Sequence, residues 1–337
     1  MSHRSADRMT PNRPLVRFAW FVVFYNVLVI LWGALVRASG SGAGCGNHWP
    51  LCNGQVIPVS PGFHTVIEFT HRMMTGGSTF LVLGLLVWTF RATVKGHAAR
   101  GFAVLSTFFL VTEALLGALL VKLGYVTDNQ SIGRMVMLSI HFSNTLVFVA
   151  ALTLTARFLS TGRSWSGLEQ ARGFAWAVAG LAATIGVGVS GSMAALGDTL
   201  FPAASLRAAY LQDFGPSPLL LRLRLVHPAS ALVAAAFVLW LLRRSRDGGG
   251  AATKLHSSRG RLARVVIGLL AMQFVLGIAD VLLLAPAWMQ LIHLLGADLY
   301  WVALVLLAAE TIWPAEPVLW PGVESRPGAV TESVVSG

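Results

Sequence analysis

The chain has 337 residues, 55% of them hydrophobic and only 12% charged. Soluble domains carry about 25% charged residues, so a water-soluble enzyme, a disordered chain and a disulfide-stapled secreted module are excluded, leaving a polytopic membrane protein. Its net charge of +11 reports topology before it reports nucleic acid. A helix crosses a bilayer core with roughly 20 apolar residues. Eight stretches qualify in chain order, at about 17–37, 64–90, 101–122, 134–158, 173–194, 219–242, 262–285 and 287–312. Gly and Ala recur within them, as close helix packing in lipid requires. The first stretch follows Arg4, Arg8, Arg13 and Arg17, but it is too long for the apolar core of a signal peptide and reads as a span.

Orientation follows from the 25 Lys and Arg residues. With the N-terminus inside, the inner segments hold 17: Arg4, Arg8, Arg13, Arg17, Arg91, Lys95, Arg100, Arg157, Arg163, Arg172, Arg243, Arg244, Arg246, Lys254, Arg259, Arg261 and Arg264. Arg326 adds to them from the tail, and the outer side has seven: Arg37, Arg72, Lys122, Arg134, Arg207, Arg222 and Arg224. This bias puts both termini on the cytoplasmic side of the inner membrane, and it explains the charge with the lipid bilayer and no nucleic acid.

The chain also repeats itself. Phe18-Ala-Trp20 opens span one, and Phe174-Ala-Trp176 opens span five, 156 residues later. His71 in span two has a counterpart in His227 of span six, again 156 later. Glu113-Ala-Leu-Leu-Gly117 matches Gln273-Phe-Val-Leu-Gly277 at an offset of 160, and His141 matches His293 at 152. The expected fold is an all-α integral membrane protein, eight transmembrane helices in two tandem four-helix bundles related by a pseudo-two-fold axis. Residues 1–160 and 161–313 form the halves; residues 314–337, rich in Pro, Gly, Ser, Val and Glu, read as a disordered cytoplasmic tail.

Nine histidines occur. His3, His97 and His256 fall in the inner tail or loops and read as solvated side chains, while His48 and His64 belong to the first outer loop and the lip of span two. His71, His141, His227 and His293 each lie about seven residues into an even-numbered span, or roughly 10 Å below its outer end at 1.5 Å per residue. One such histidine could serve an interhelical hydrogen bond. Four at one depth, two per bundle, point to paired axial ligation of haem iron, since a zinc site wants three or four converging ligands. Ligands at a single level also argue for two haems side by side, at 71/141 and 227/293, rather than a transmembrane electron wire.

The halves differ beside these ligands. Glu68 precedes His71 by three residues, and the equivalent place in span six holds Arg224. An acid suits proton handling or, as the alternative, an ion pair at the interface; an arginine suits a haem propionate. Arg72, Arg134, Arg222 and Arg224 are candidate propionate partners by sign and level, although snorkelling anchors explain them equally. The first outer loop carries Cys45 and Cys52, the only cysteines, for which a disulfide on the oxidising side is the natural reading.

Glu-x-x-His-Arg in span two, histidines in spans four, six and eight, and the loop Gly-Cys45-x6-Cys52-Asn-Gly together resemble haem A synthase, in the bacterial branch with paired loop cysteines. The resemblance covers residues 17 to about 312. It implies oxidation of the C8 methyl of haem O to a formyl group, giving haem A for terminal oxidases. It implies further that His71 and His141 bracket the substrate haem, with Glu68 in a catalytic or proton-transfer role, and that His227 and His293 hold a resident haem b. Cys45 and Cys52 would form the loop disulfide. The implied partners are haem O synthase, the cytochrome oxidase assembly pathway and an external electron-transfer partner or quinone, there being no flavin, nicotinamide or iron–sulfur motif. Two features depart from the family pattern: Glu113 stands where Gln is common, and the second outer loop, Ala195 to Pro218, has no cysteine pair. The competing readings are a bis-histidine cytochrome b in electron transfer or quinol oxidation, and a haem carrier without chemistry.

Overall fold

A computed structural model describes residues 11–162, 171–244 and 258–313. The expected tail at 314–337, His3, His256, Arg4, Arg8, Arg163, Arg246 and Lys254 lie outside them. The described residues form α1 (Arg13–Ala38), a 3-10 turn (Ser41–Ala43), α2 (Phe63–Ala92), α3 (Ala98–Lys122), α4 (Ile132–Thr161), α5 (Ala171–Leu200), α6 (Leu206–Phe214), α7 (Leu219–Arg244), α8 (Ser258–Leu282) and α9 (Ala287–Ile312). All but α6 are long and apolar enough to cross a membrane. The chain is an all-α, multi-pass membrane protein with eight candidate spans.

Several helices outrun their apolar stretches because polar caps start them early. Asn12 Oδ1 accepts the Leu15 N–H at 3.2 Å, with Pro14 in the first turn of α1. Ser131 Oγ accepts the Arg134 N–H at 3.2 Å, and α4 stops at Gly162, whose φ of 62° is left-handed. The seventh span ends at Leu282, three residues short of expectation. There the chain turns through Leu284 and Ala285, at φ of 63° and 51°, and Pro286 opens α9. The short α6 was not expected, because nine residues with exposed Leu206, Tyr210, Leu211 and Phe214 make no span signal. His97 is not the solvated side chain expected of a loop. It is buried, and its Nδ1 caps α3 by accepting the Ala99 N–H at 3.2 Å. Burial, reinforced by Arg100, holds the imidazole below its ordinary range, in the neutral form that the cap needs.

Between 39% and 50% of the apolar segment is buried in α1, α4 and α9, against 22% or less in the other five spans, so these three form the interior. Helix α1 packs on α2 and α4, and α3 on both of those; α5 packs on α7 and α9, and α8 on α9 and, at few residues, α7. Leu15, Ala19, Val22, Leu85, Phe102, Leu152 and Ala156 make one apolar cluster among α1–α4. A second, Leu146, Val149, Trp301 and Val305, joins α4 to α9, where the Trp301 indole N–H donates to the Leu146 carbonyl at 2.8 Å. Beyond it, Arg157 of α4 pairs with the buried Glu310 of α9.

Candidate functional site

Each intramembrane histidine sits against a glycine of a neighbouring helix. A Cβ on Gly191 of α5 would stand 2.9 Å from His227 Cε1, and one on Gly33 of α1 would stand 3.0 Å from His71 Cε1. The corresponding distances are 3.4 Å for Gly277 of α8 against His293 and 3.8 Å for Gly117 of α3 against His141. Glycine lets these helices approach until the imidazole fills the space a side chain would take. His227 and His293 face each other with ring centroids 6.3 Å apart and planes at 80°, and His141 lies within electrostatic range of His71.

The surroundings of the four rings differ. His71, His141 and His293 have a buried Nδ1 without a hydrogen-bond partner. His227 Nδ1 lies 3.3 Å from the Ser190 hydroxyl, itself 2.8 Å from that of Ser230. Glu113 of α3 is 3.5 Å from His141 Nδ1, and its carboxylate takes the Asn144 amide at 2.6 Å and the Thr145 hydroxyl at 2.5 Å.

At the end of the bundle that carries Cys45 and Cys52, the first long loop is clamped onto α2. The two sulfurs are at disulfide distance, 1.99 Å, and both residues are buried. Glu68 is buried beneath them: Oε2 accepts the Cys45 backbone N–H at 2.8 Å, and Oε1 pairs with Arg72 at 2.5 Å. Arg72 in turn donates to the His48 and Leu51 carbonyls at 2.5 and 2.6 Å. The hydroxyls of Ser41 and Thr65 complete the clamp, against His64 Nδ1 at 3.0 Å and the Gly44 carbonyl at 2.8 Å. Glu68 is therefore both the acid beside His71 and one partner of an ion pair.

Gly44 is the tight point of this clamp, because a Cβ there would stand 2.4 Å from the His64 carbonyl oxygen, a backbone atom that cannot swing away. Gly44→Ala is expected to lift the loop off α2 at a cost of about 1–3 kcal/mol. The Cys45–Cys52 pair would then be reduced faster by a water-soluble phosphine, as read by thiol labelling. An unchanged rate would show that the loop does not depend on this approach.

Three of the four candidate propionate partners are engaged by the protein. Arg72 is held as above, and Arg134 donates to the Thr127 and Asn129 carbonyls, closing the turn before α4. Arg224 binds Asp198 at 2.8 Å, Gln212 at 3.0 Å and Asp213 at 3.0 Å, pinning α6 to α5 and α7. Arg222 is exposed. Arg37, which nothing in the sequence marks as more than an outer basic residue, crosses from the last turn of α1 to the Ala195 carbonyl and Thr199 of α5 (2.6 and 2.8 Å) and Gln290 of α9 (3.0 Å). Ser190, Asn144 and the four glycines were also missed as site residues. Only Gly117 and Gly277 left a trace there, as matched ends of a repeated segment.

Eight spans enclosing histidines that are seated on glycines define a multi-pass membrane protein with intramembrane imidazole sites. The chain belongs to the COX15-CtaA family, whose model, described as cytochrome oxidase assembly protein, matches residues 16–305. It is 42% identical over 301 residues to a protoheme IX farnesyltransferase of Thermus thermophilus, covering 88% of this chain and 48% of that protein. It is 34% identical over 151 residues to the heme A synthase of an Exiguobacterium species, covering 45% of this chain and 48% of the relative. With the heme A synthase of Shouchella clausii the identity is 40% over 131 residues, 39% of this chain and 41% of the relative. The chain thus spans about half the length of the curated relatives it matches. The resemblance drawn from the span-two motif, the histidines and the loop cysteines is borne out at the level of the family.

Proposed function

We propose that the chain is a haem A synthase, oxidising the C8 methyl of haem O to the formyl group of haem A. The conversion takes two successive two-electron oxidations, each adding a hydroxyl from water and releasing two electrons to an external partner or quinone and two protons, and then loss of water from the geminal diol. His71 and His141 would bracket the substrate haem, and His227 and His293 would hold a resident haem b that supplies one-electron chemistry. The observation that carries the enzyme reading is the buried carboxylate of Glu68, one turn from His71, where the other half has Arg224. Arg72 and the Cys45 N–H hold the carboxylate in place, so it is a positioned acid–base group at the edge of the first pocket.

The geometry fits the proposed ligand. An imidazole nitrogen lies about 1.2 Å from its ring centroid and binds a transition metal at about 2.0–2.1 Å. Two such imidazoles sharing one iron would hold their centroids about 6.4–6.6 Å apart, close to the 6.3 Å between His227 and His293. We read the two sets of mutually packed helices, α1–α4 and α5 with α7–α9, as the tandem bundles. The termini we place on the cytoplasmic side.

The Thermus relatives carry a farnesyltransferase name on a protein about twice the matched length. We read the matched part as the oxidising one and the remainder as a prenyltransferase. Prenylation of the haem would then supply the substrate for this reaction, with haem O synthase as a partner. The test is expression of the full chain in cells that make haem O, with the extracted haems identified by chromatography and mass. Haem A is expected, together with bound haem b; a protein that binds both haems and never yields haem A would be a cytochrome b or a carrier instead.

A further inference from the structure

We propose that Glu113 is a positioning residue that makes the first haem site electronically unlike the second, by taking the Nδ1–H of His141 and strengthening that imidazole as a donor to iron. This rests on the reading of His141 as an axial ligand. The carboxylate is 3.5 Å from His141 Nδ1, and it is not free to wander. Asn144 Nδ2 holds Oε2 at 2.6 Å, and Thr145 Oγ1 lies 2.5 Å from Oε1. Asn144 is itself fixed, donating to the Phe109 carbonyl at 3.0 Å while its Oδ1 accepts the Thr112 hydroxyl at 2.7 Å. Four groups on α3 and α4 thus serve to keep one carboxylate beside one imidazole.

The second half lacks each part. At the offsets that relate the histidines and the Gly117/Gly277 segments, Glu113 becomes Gln273, Asn144 becomes Gly296 and Thr145 becomes Ala297. Gln273 Nε2 is buried without a partner, in the space that a Cβ on Gly296 would need. His71, His141 and His293 all lack an Nδ1 hydrogen bond, but among the described residues only His141 has a carboxylate within 4 Å of that atom, at 3.5 Å; His227 meets a neutral hydroxyl. A ligating histidine that donates its second N–H to a carboxylate has its tautomer and ring orientation fixed and its basicity raised. Iron at His141 is therefore more electron-rich than iron at His293, and its oxidised state is favoured. The Glu68 asymmetry concerns protons beside the substrate; this one concerns the metal.

The measurement is a redox titration of the purified full-length protein, expressed in cells making haem b and haem O, followed by absorbance and by the ferric low-spin EPR signal. Glu113→Gln is expected to lower the ferric-to-ferrous ratio of one haem about tenfold at fixed potential, which is 59 mV for one electron. That haem's EPR signal should shift while the other stays put. Gln273→Glu tests the idea independently of whether Glu113→Gln folds, and should raise the ratio of the other haem. A merely structural role would change haem content and leave the midpoints alone. Unmoved midpoints in both variants, with both haems bound, would overturn the proposal while sparing the function. If His141→Ala also leaves the wild-type spectrum unchanged, the ligand assignment falls first and Glu113 with it.

Discussion

Replacing Glu68 by alanine is expected to cut haem A formation by at least about 100-fold, the lower end of what a positioned acid or base contributes, while haem b stays bound. His227→Ala and His293→Ala should do the reverse and deplete haem b first. The separation follows from placement: Glu68 belongs with His71 under the clamped loop, and its polar partners are Arg72 and the Cys45 N–H rather than any group of α7 or α9. Because Glu68 also anchors that loop, the alanine variant removes a charge and loosens the loop together. Glu68→Gln divides the two effects, since an amide oxygen still accepts that N–H but holds no proton-accepting charge. Extracted haems, quantified by chromatography and mass, read all four variants. Equal loss of haem from Glu68→Ala and His227→Ala would mean that the acid is structural.

Adding one methyl at each histidine-seating glycine is expected to give a graded loss of bound haem. Gly191→Ala puts a Cβ 2.9 Å from His227 Cε1 and 3.1 Å from its Nδ1; Gly33→Ala puts one 3.0 Å from His71 Cε1. Both are closer than packed carbons tolerate, so the ring or the helix has to shift at about 1–3 kcal/mol, roughly five- to 150-fold in occupancy. Gly277→Ala, at 3.4 Å, should be milder, and Gly117→Ala, at 3.8 Å, close to neutral. Haem per protein by pyridine haemochrome, together with the low-spin absorbance, measures the order. A flat series, or Gly117→Ala as the worst, would refute the seating argument.

Much of this was legible in the chain before its structure. Eight apolar runs fix eight spans because lipid demands a closed hydrogen-bonded helix behind each. Histidine is conspicuous in such runs since burying a polar group needs a reason. The boundaries were less visible: Asn12 and Ser131 begin helices from outside the apolar stretch, and Leu284 and Ala285 end one inside it. The contacts of the arginines were hidden for a related reason. Sign and depth mark Arg72, Arg134 and Arg224 as candidates to meet an anion, but do not show that they also hold loop carbonyls and the carboxylates of Glu68, Asp198 and Asp213. Asp198 and Asp213 lie 26 and 11 residues from Arg224, with no periodicity to join them. The seating glycines were hidden by abundance, because 34 glycines give no hint of which four stand opposite a ring.

Three ties run along α9: Arg37 to Gln290, Trp301 to the Leu146 carbonyl, and Arg157 to Glu310. At 1.5 Å per residue they are spaced about 16 and 13 Å apart along the helix, so they grip it near both ends and at the middle. Among the described residues these ties leave the seam no slack side, so α9 is held to α1 and α4 along its length. A motion that parts α9 from α1 and α4 has to break all three ties at once.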